Sequence, residues 1–233
     1  MERGSANLVL SRLARKGWLQ RLRRGMYAVV PLSARSAQVA IDDPLAAAMK
    51  LFPPCYISGW TAAQHWDLTD QIHNAVVVYS AKPQRRSVQS IAGVKYRIRL
   101  INAAAIFGTT KVWSGTVAVE MATVHRTVLD ILVAPEMGGG GRQMIDMVRS
   151  YWSKPEADPQ ALLSMAVRVG HGTLFKRLGF TTERFGKADE RWFKACGEHL
   201  SAGISLLDLA GPDTGPILTR WRLRINIPIS DDE

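Results

Sequence analysis

The chain has 233 residues, 47% of them hydrophobic and 21% charged, with a net charge of +10 at neutral pH. That balance excludes a disordered polyelectrolyte, which lacks the apolar side chains needed to offset ordering entropy, and no apolar run approaches the ~20 residues of a membrane helix. Cys55 and Cys196, the only two cysteines, sit at neither disulfide-framework nor zinc-ligand spacing, so both are expected as buried small side chains of a cytoplasmic protein.

The charge is unevenly placed: residues 1–35 hold eight Lys and Arg against one Glu. A local positive field attracts a polyanion, because each neutralised phosphate releases condensed counterions; a solvated basic surface is the alternative. A helix is predicted over Ser5 to Lys16. Ala6, Val9, Leu10, Leu13 and Ala14 share one arc of its wheel, while Ser5, Leu8, Ser11, Arg12 and Arg15 share the other. Gly17 stands where a helix-ending glycine belongs. Trp18 to Leu22 and Met26 to Val30 read as two short strands around Arg23-Arg24-Gly25, with the glycine supplying the positive φ of a tight turn. Trp18, Leu22 and Val29 are expected to hold this hairpin against the helix. Ser33 to Gln38 reads as a linker.

Beyond it, Asp43 is predicted to cap a helix that begins at Pro44 and runs to Phe52, stopped by Pro53-Pro54. Ser58 is predicted to cap a short helix through Trp66, and Ala75 to Tyr79 reads as a buried strand. Tyr96, Ile98 and Leu100 alternate with Arg97 and Arg99, giving a strand with one apolar and one basic face. A further strand is expected at Val117 to Val119. Helices follow at Thr123 to Val133, Arg142 to Trp152, Pro159 to Val169, Gly172 to Arg184 and Asp189 to Leu200, then strands at Ile204 to Leu209 and Thr219 to Ile227. Strands before and after a helical middle predict an α+β fold. The expected organisation is a partial N-terminal winged helix-turn-helix, recognition helix plus wing, over residues 1–32, a linker over 33–41, and a larger mixed α/β-sheet domain over 42–233.

Catalytic signatures are missing. No Asp or Glu has Lys two residues on, as a two-metal nuclease wants, and Gly4-Ser5 leads into none of the paired aspartates of a nucleotidyltransferase. Gly138 to Gly141 lacks the Gly-Lys-Ser/Thr ending of a P-loop and reads as a helix-to-helix connection. His65, His73, His125, His171 and His199 show no metal-ligand spacing, and there is no Gly-x-Ser-x-Gly elbow. No enzyme activity, cofactor or metal is therefore expected.

A helix followed by a basic hairpin is the order of a winged helix-turn-helix, whose recognition helix enters the major groove while the wing touches the backbone. On that reading Arg3, Ser5, Ser11, Arg12, Arg15 and Lys16 are DNA contacts of the helix, and Arg21, Arg23, Arg24 and Tyr27 are contacts of the wing. Between Asp70 and Glu120 there is no acidic residue, while Lys82, Arg85, Arg86, Lys95, Arg97, Arg99 and Lys111 add seven positive charges. Lys82, Arg85, Arg86, Arg97 and Arg99 are candidates for a second phosphate contact; a charged sheet face that discourages edge pairing is the alternative.

GWLQRLRRGMYAVVP (Gly17 to Pro31) resembles the helix-to-wing segment of AbiEi-type antitoxins of type IV toxin-antitoxin systems. YISGWTAAQHWDLTDQ (Tyr56 to Gln71), VVVYSAKPQRR (Val76 to Arg86), IAGVKYRIRLI (Ile91 to Ile101), HRTVLDIL (His125 to Leu132), LFKRLGFTTE (Leu174 to Glu183) and RWRLRINI (Arg220 to Ile227) resemble, in order, that family's C-terminal domain. The resemblance implies a DNA-binding antitoxin that represses its own operon. Its partner would be operator double-stranded DNA, and its functional partner a nucleotidyltransferase-like toxin that it need not touch; no membrane is involved. The alternative is a truncated antitoxin that acts as a protein-interaction module without autonomous DNA binding. One departure is plain: the family places one or two helices before the recognition helix. Either the true start lies upstream of Met1, or the helix leans on the C-terminal domain with reduced DNA affinity, since an unsupported helix of ~12 residues is marginal in water.

Overall fold

The computed structural model describes residues 3–23, 25–30 and 41–229. It opens with helix α1 (Arg3–Arg15), followed by strands β1 (Leu19–Arg23) and β2 (Met26–Val29). α1 ends because Gly17 takes a φ of +79°. That turn brings the Trp18 N–H to the Leu13 carbonyl and the Gly17 N–H to the Ala14 carbonyl, both at 3.1 Å, the Schellman pairing that satisfies the last helical carbonyls. β1 and β2 pair antiparallel from Leu19 opposite Val29 to Arg23 opposite Met26, with an irregularity between Arg21 and Arg23. The predicted linker at Ser33 to Gln38 lies outside the described residues.

Helix α2 (Pro44–Leu51) starts where the sequence predicts. The Asp43 carboxylate accepts the Leu45 and Ala46 N–H groups at 3.1 and 2.9 Å, and proline occupies the first turn, where its missing donor costs nothing. Then come β3 (Cys55–Ile57), α3 (Gly59–His65), β4 (Ala75–Ser80), β5 (Val88–Ile91), β6 (Val94–Leu100), β7 (Thr109–Ser114) and β8 (Val117–Ala122). Strands β3 to β8 form one six-stranded sheet in the order β5-β6-β4-β3-β8-β7. β4 with β6 and β3 with β8 are parallel; the other neighbours are antiparallel. Val77, Val78, Tyr79 and Ser80 are buried in succession, because a central strand covered on both faces has no solvent side to alternate with.

The two faces are shared out by register. Tyr96 and Ile98 pair with Val76 and Val78 and look toward α2, where the Tyr96 hydroxyl donates to the Pro44 carbonyl at 3.1 Å. Arg97 and Arg99 pair with Val77 and Tyr79 and look the other way. That other face carries α3 and five further helices: α4 (Val124–Val133), α5 (Gly141–Trp152), α6 (Pro159–Val169), α7 (Gly172–Phe185) and α8 (Glu190–Glu198). α4 is the hub, buried without a break from Arg126 to Leu132 and packed by α3, α5, α6 and α7. A small sheet of β9 (Ser205–Leu206), β10 (Ile217–Leu218) and β11 (Leu223–Arg224), ordered β10-β11-β9, closes the far end. The fold is α+β.

Three sequence expectations are corrected. Ser58 does precede α3, but its hydroxyl makes no cap; it donates instead to Asp130 at 2.7 Å inside the core. The run Thr219 to Ile227 is not one strand: Thr219–Trp221 is a 3-10 turn, Arg222 has a φ of +49°, and only Leu223–Arg224 pairs. The cause is Trp221, 1% exposed, whose ring lies against Gly179 of α7 and whose indole N–H donates to Glu183. Strands β3, β5, β7 and β10 were not anticipated, since each is short or lies at an edge with no clean alternation.

Candidate nucleic-acid interface

α1 shows two faces. Ala6, Leu10, Ser11, Leu13 and Ala14 are half-buried, whereas Ser5, Asn7, Leu8, Val9, Arg12, Arg15 and Lys16 are exposed. Val9, expected on the inner arc, is 48% exposed; among the described residues, α1 packs chiefly against β1 of the hairpin. Ser11 moves the opposite way. Its hydroxyl lies 3.4 Å from the Tyr27 hydroxyl, so these two predicted DNA contacts meet each other in the lining of a cleft of about 520 Å³ between α1 and the hairpin.

Trp18 and Val29, expected to secure the hairpin, are 56% and 73% exposed. The anchoring falls to Leu22 and Met26, which pack against the core beside Ile41 and Leu45. The irregularity between Arg21 and Arg23 separates the fates of those two cations. Arg21 is exposed; the half-buried Arg23 guanidinium sits 5.8 Å from the Phe52 ring centroid, a contact worth about 0.5–1 kcal/mol. Arg24 and the side chain of Arg3 lie outside the described residues. What remains outward is Arg12, Arg15, Lys16 and Arg21, none of which has an ion-pair partner among the described residues.

The second basic surface splits in two. Arg97 donates to the Glu136 carbonyl at 3.1 Å and lies 5.2 Å from the Trp60 ring centroid, and Arg99 pairs with the Glu136 carboxylate at 3.0 Å. The predicted open basic face of β6 is therefore corrected: the 3-10 turn Pro135–Gly138 covers it. Lys82, Arg85 and Arg86 stay exposed between β4 and β5, as do Lys95 and Lys111. The Lys82 N–H bonds the Ser80 hydroxyl at 3.1 Å, and that hydroxyl donates to the Phe52 carbonyl at 2.7 Å. Phe52 thus supports both Arg23 and the root of the Lys82–Arg86 loop. Sequence reasoning missed Lys50, exposed at the rim of a cleft of about 300 Å³ between the hairpin and α2; its signal was a single cation in an Ala-rich helix.

Also missed was a closed polar network beneath the sheet. The Arg126 guanidinium donates to Asp130 at 2.9 Å and to the Tyr56 hydroxyl at 2.8 Å, while Tyr56 and Ser58 donate to the other Asp130 oxygen at 3.0 and 2.7 Å. Burial pushes the Asp130 carboxyl upward, and Arg126, Ser58 and Tyr56 pull it back. Lys176 and Arg177 are also interior. Lys176 donates to the Gly203 carbonyl, and Arg177 to the Leu132 and Leu206 carbonyls. Burial lowers the Arg177 pKa to about 10, while its position at the negative end of α4 favours the charged form. At Gly138 to Gly141, the run joins the 3-10 turn Pro135–Gly138 to α5, and Asp208 accepts the Gly141 N–H at 2.9 Å. Among the described residues, no group of three or more His, Cys, Asp or Glu side chains is placed to hold a metal, and no helix is long and apolar enough to cross a membrane.

Three comparisons bear on this geometry. The chain is similar in fold to the crystal structure of the RV2827C protein from Mycobacterium tuberculosis, with 13% identity and a TM-score of 0.57 over 96% of this chain and 79% of that one. No curated protein matches the chain. Residues 2–30, the segment of α1 and the hairpin, match the family model described as "Transcriptional regulator, AbiEi antitoxin".

Proposed function

We propose that the protein is a DNA-binding autorepressor and antitoxin, in which α1 is the recognition helix and the hairpin the wing of a partial winged helix-turn-helix. One observation carries this reading: Arg12, Arg15, Lys16 and Arg21 are exposed together, free of carboxylate partners among the described residues, on the segment that matches the antitoxin regulator family. Such a cluster gains affinity for duplex DNA by releasing counterions from the phosphates it meets. Lys82, Arg85 and Arg86 form the second phosphate contact, and the α+β body acts as scaffold without catalysis. In the type IV arrangement, the partner system is a nucleotidyltransferase-like toxin counteracted without obligatory contact.

The test is binding of the full chain to the promoter duplex of its own operon across a salt series. Arg12→Ala with Arg15→Ala is expected to lower the slope of log affinity against log salt by roughly 1–2. Arg97→Ala with Arg99→Ala is expected to leave the slope alone, since both side chains are held by Glu136. An unchanged slope in the first variant removes α1 from the mechanism. A second reading, a protein-interaction module with little DNA affinity of its own, is favoured by the absence of any fully buried side chain among those described in α1. Toxin neutralisation together with salt-insensitive, negligible DNA binding would select it.

A further inference from the structure

Two large apolar side chains stand among the cations of α1. Leu8 is 64% exposed and Val9 48%, and neither joins the core cluster or the residues packed against it. Leu8 shares its stripe with Ser5 one turn before, Arg12 one turn after and Arg15 two turns after, all exposed. A surface meant only to grip phosphates calls for cations and hydroxyls, and leucine offers neither. The outward face of a helix that enters the major groove meets one strongly apolar feature there, the C5-methyl group of thymine.

Resting on the DNA-binding reading above, we propose that Leu8, with Val9 beside it, reads thymine methyl groups in the operator and so sets part of its base preference. The charge near it supports this occupant over a protein partner: Arg12, Arg15 and Lys16 follow the leucine one to two turns on, and three cations without described carboxylate partners suit a polyanion. Spacing sharpens the expectation. Leu8 and Arg12 are one turn apart, ~6 Å along the axis, or roughly two base steps of ~3.4 Å. A thymine under Leu8 therefore lies about two steps from the base under Arg12, and arginine in the groove prefers guanine.

The experiment uses the full chain and a pool of duplexes with a randomised core, selected for binding at low salt. The best duplex is then remade with deoxyuridine at each thymidine in turn, which deletes only the methyl group. For the wild type, one or two substitutions, about two steps from a guanine, are expected to weaken binding about three- to five-fold, the scale of one lost methyl contact. Leu8→Ala keeps helix propensity, so circular dichroism should match wild type; its salt slope should be unchanged and its sensitivity to deoxyuridine gone. If no deoxyuridine position matters, or if Leu8→Ala is as sensitive as wild type, the inference fails while the DNA reading stands. A change of oligomeric state in Leu8→Ala at equal DNA affinity would show that the leucine covers protein, which also overturns it. Absence of any salt-dependent duplex binding overturns both.

Discussion

Replacing Asp130 with alanine should be among the most damaging single changes in this protein. The side chains of Arg126 and Asp130 are 3% and 4% exposed, and the carboxylate accepts from Arg126, Ser58 and Tyr56 at 2.9, 2.7 and 3.0 Å. Its removal leaves the guanidinium with the Tyr56 hydroxyl at 2.8 Å, the Phe107 carbonyl at 3.5 Å and the Phe107 ring at 4.4 Å, none of which carries a neutralising charge. An uncompensated buried charge of this kind costs about 3–5 kcal/mol, a large part of the roughly 5–15 kcal/mol that holds a domain folded. With a urea m-value of about 2–3 kcal/mol/M, the midpoint of unfolding followed by circular dichroism should fall by roughly 1–2 M. Asp130→Ala combined with Arg126→Met removes both charges and should recover most of the loss. A single-variant loss under about 1 kcal/mol, or a double variant as unstable as the single, would refute the claim that buried charge is the cause.

Gly179→Ala drives a methyl group into the Trp221 ring; overpacking of about 1–3 kcal/mol should lower the melting temperature by roughly 2–12 °C, and an unchanged value would mean that Trp221 is not seated on α7. Gly17 has a φ of +79° with open space around it, so Gly17→Ala carries only backbone strain of about 1–2 kcal/mol. That strain falls on α1, and amide exchange there should quicken while the global urea midpoint holds. His73 is stacked on Trp60 at 4.5 Å, its Nε2 is buried without a partner among the described residues, and burial lowers its pKa. The folded state therefore binds fewer protons than the unfolded one, and stability falls as pH drops through the unfolded value of 6.5. His73→Phe keeps the stack and should shrink the loss of melting temperature between about pH 7.5 and about pH 5.5. Part of the loss should persist, because His171 is lowered too, by burial, Arg99 and Arg177; an equal pH response in variant and wild type would contradict the assignment.

Helix starts were legible because their signals are local. Asp43, Thr123, Asp158 and Asp189 each cap the helix that follows them with a side-chain oxygen, and such caps need only the next three residues. The alternation of Tyr96, Ile98 and Leu100 with Arg97 and Arg99 was equally legible. Which face was covered was not, since that depends on Glu136, 37 positions from Arg99. The same limit explains Arg126 and Asp130. An i,i+4 pair of this type reads as a surface salt bridge, and only Tyr56 and Ser58, about 70 positions away in the sequence, turn it into a core. In the candidate interface, the outward cations of α1 followed from the helical wheel, whereas the inward turn of Ser11 and the burial of Arg23 required knowing where the hairpin docks.

That docking decides how firmly α1 is held. The helix has 13 residues, a length marginal in isolation, and a two-stranded hairpin is also marginal alone. Both therefore depend on the α2 layer, reached through Leu22, Met26 and the stacking of Arg23 on Phe52. The Phe52 backbone carbonyl also accepts from the Ser80 hydroxyl, which anchors the root of the Lys82–Arg86 loop, a link that a change of the Phe52 side chain leaves in place. On the proposed reading, the wing and the second phosphate contact share one joint. Phe52→Leu keeps an apolar side chain in the core but removes the ring beneath Arg23, and the lost contact alone is worth about 0.5–1 kcal/mol, a two- to five-fold change in affinity. If the joint aligns both basic segments on one duplex, the variant should lose more than that, and its salt slope should fall together with its affinity at unchanged secondary structure. A loss confined to the stacking value with the wild-type slope would mean that the two segments meet DNA independently, or that only one of them does.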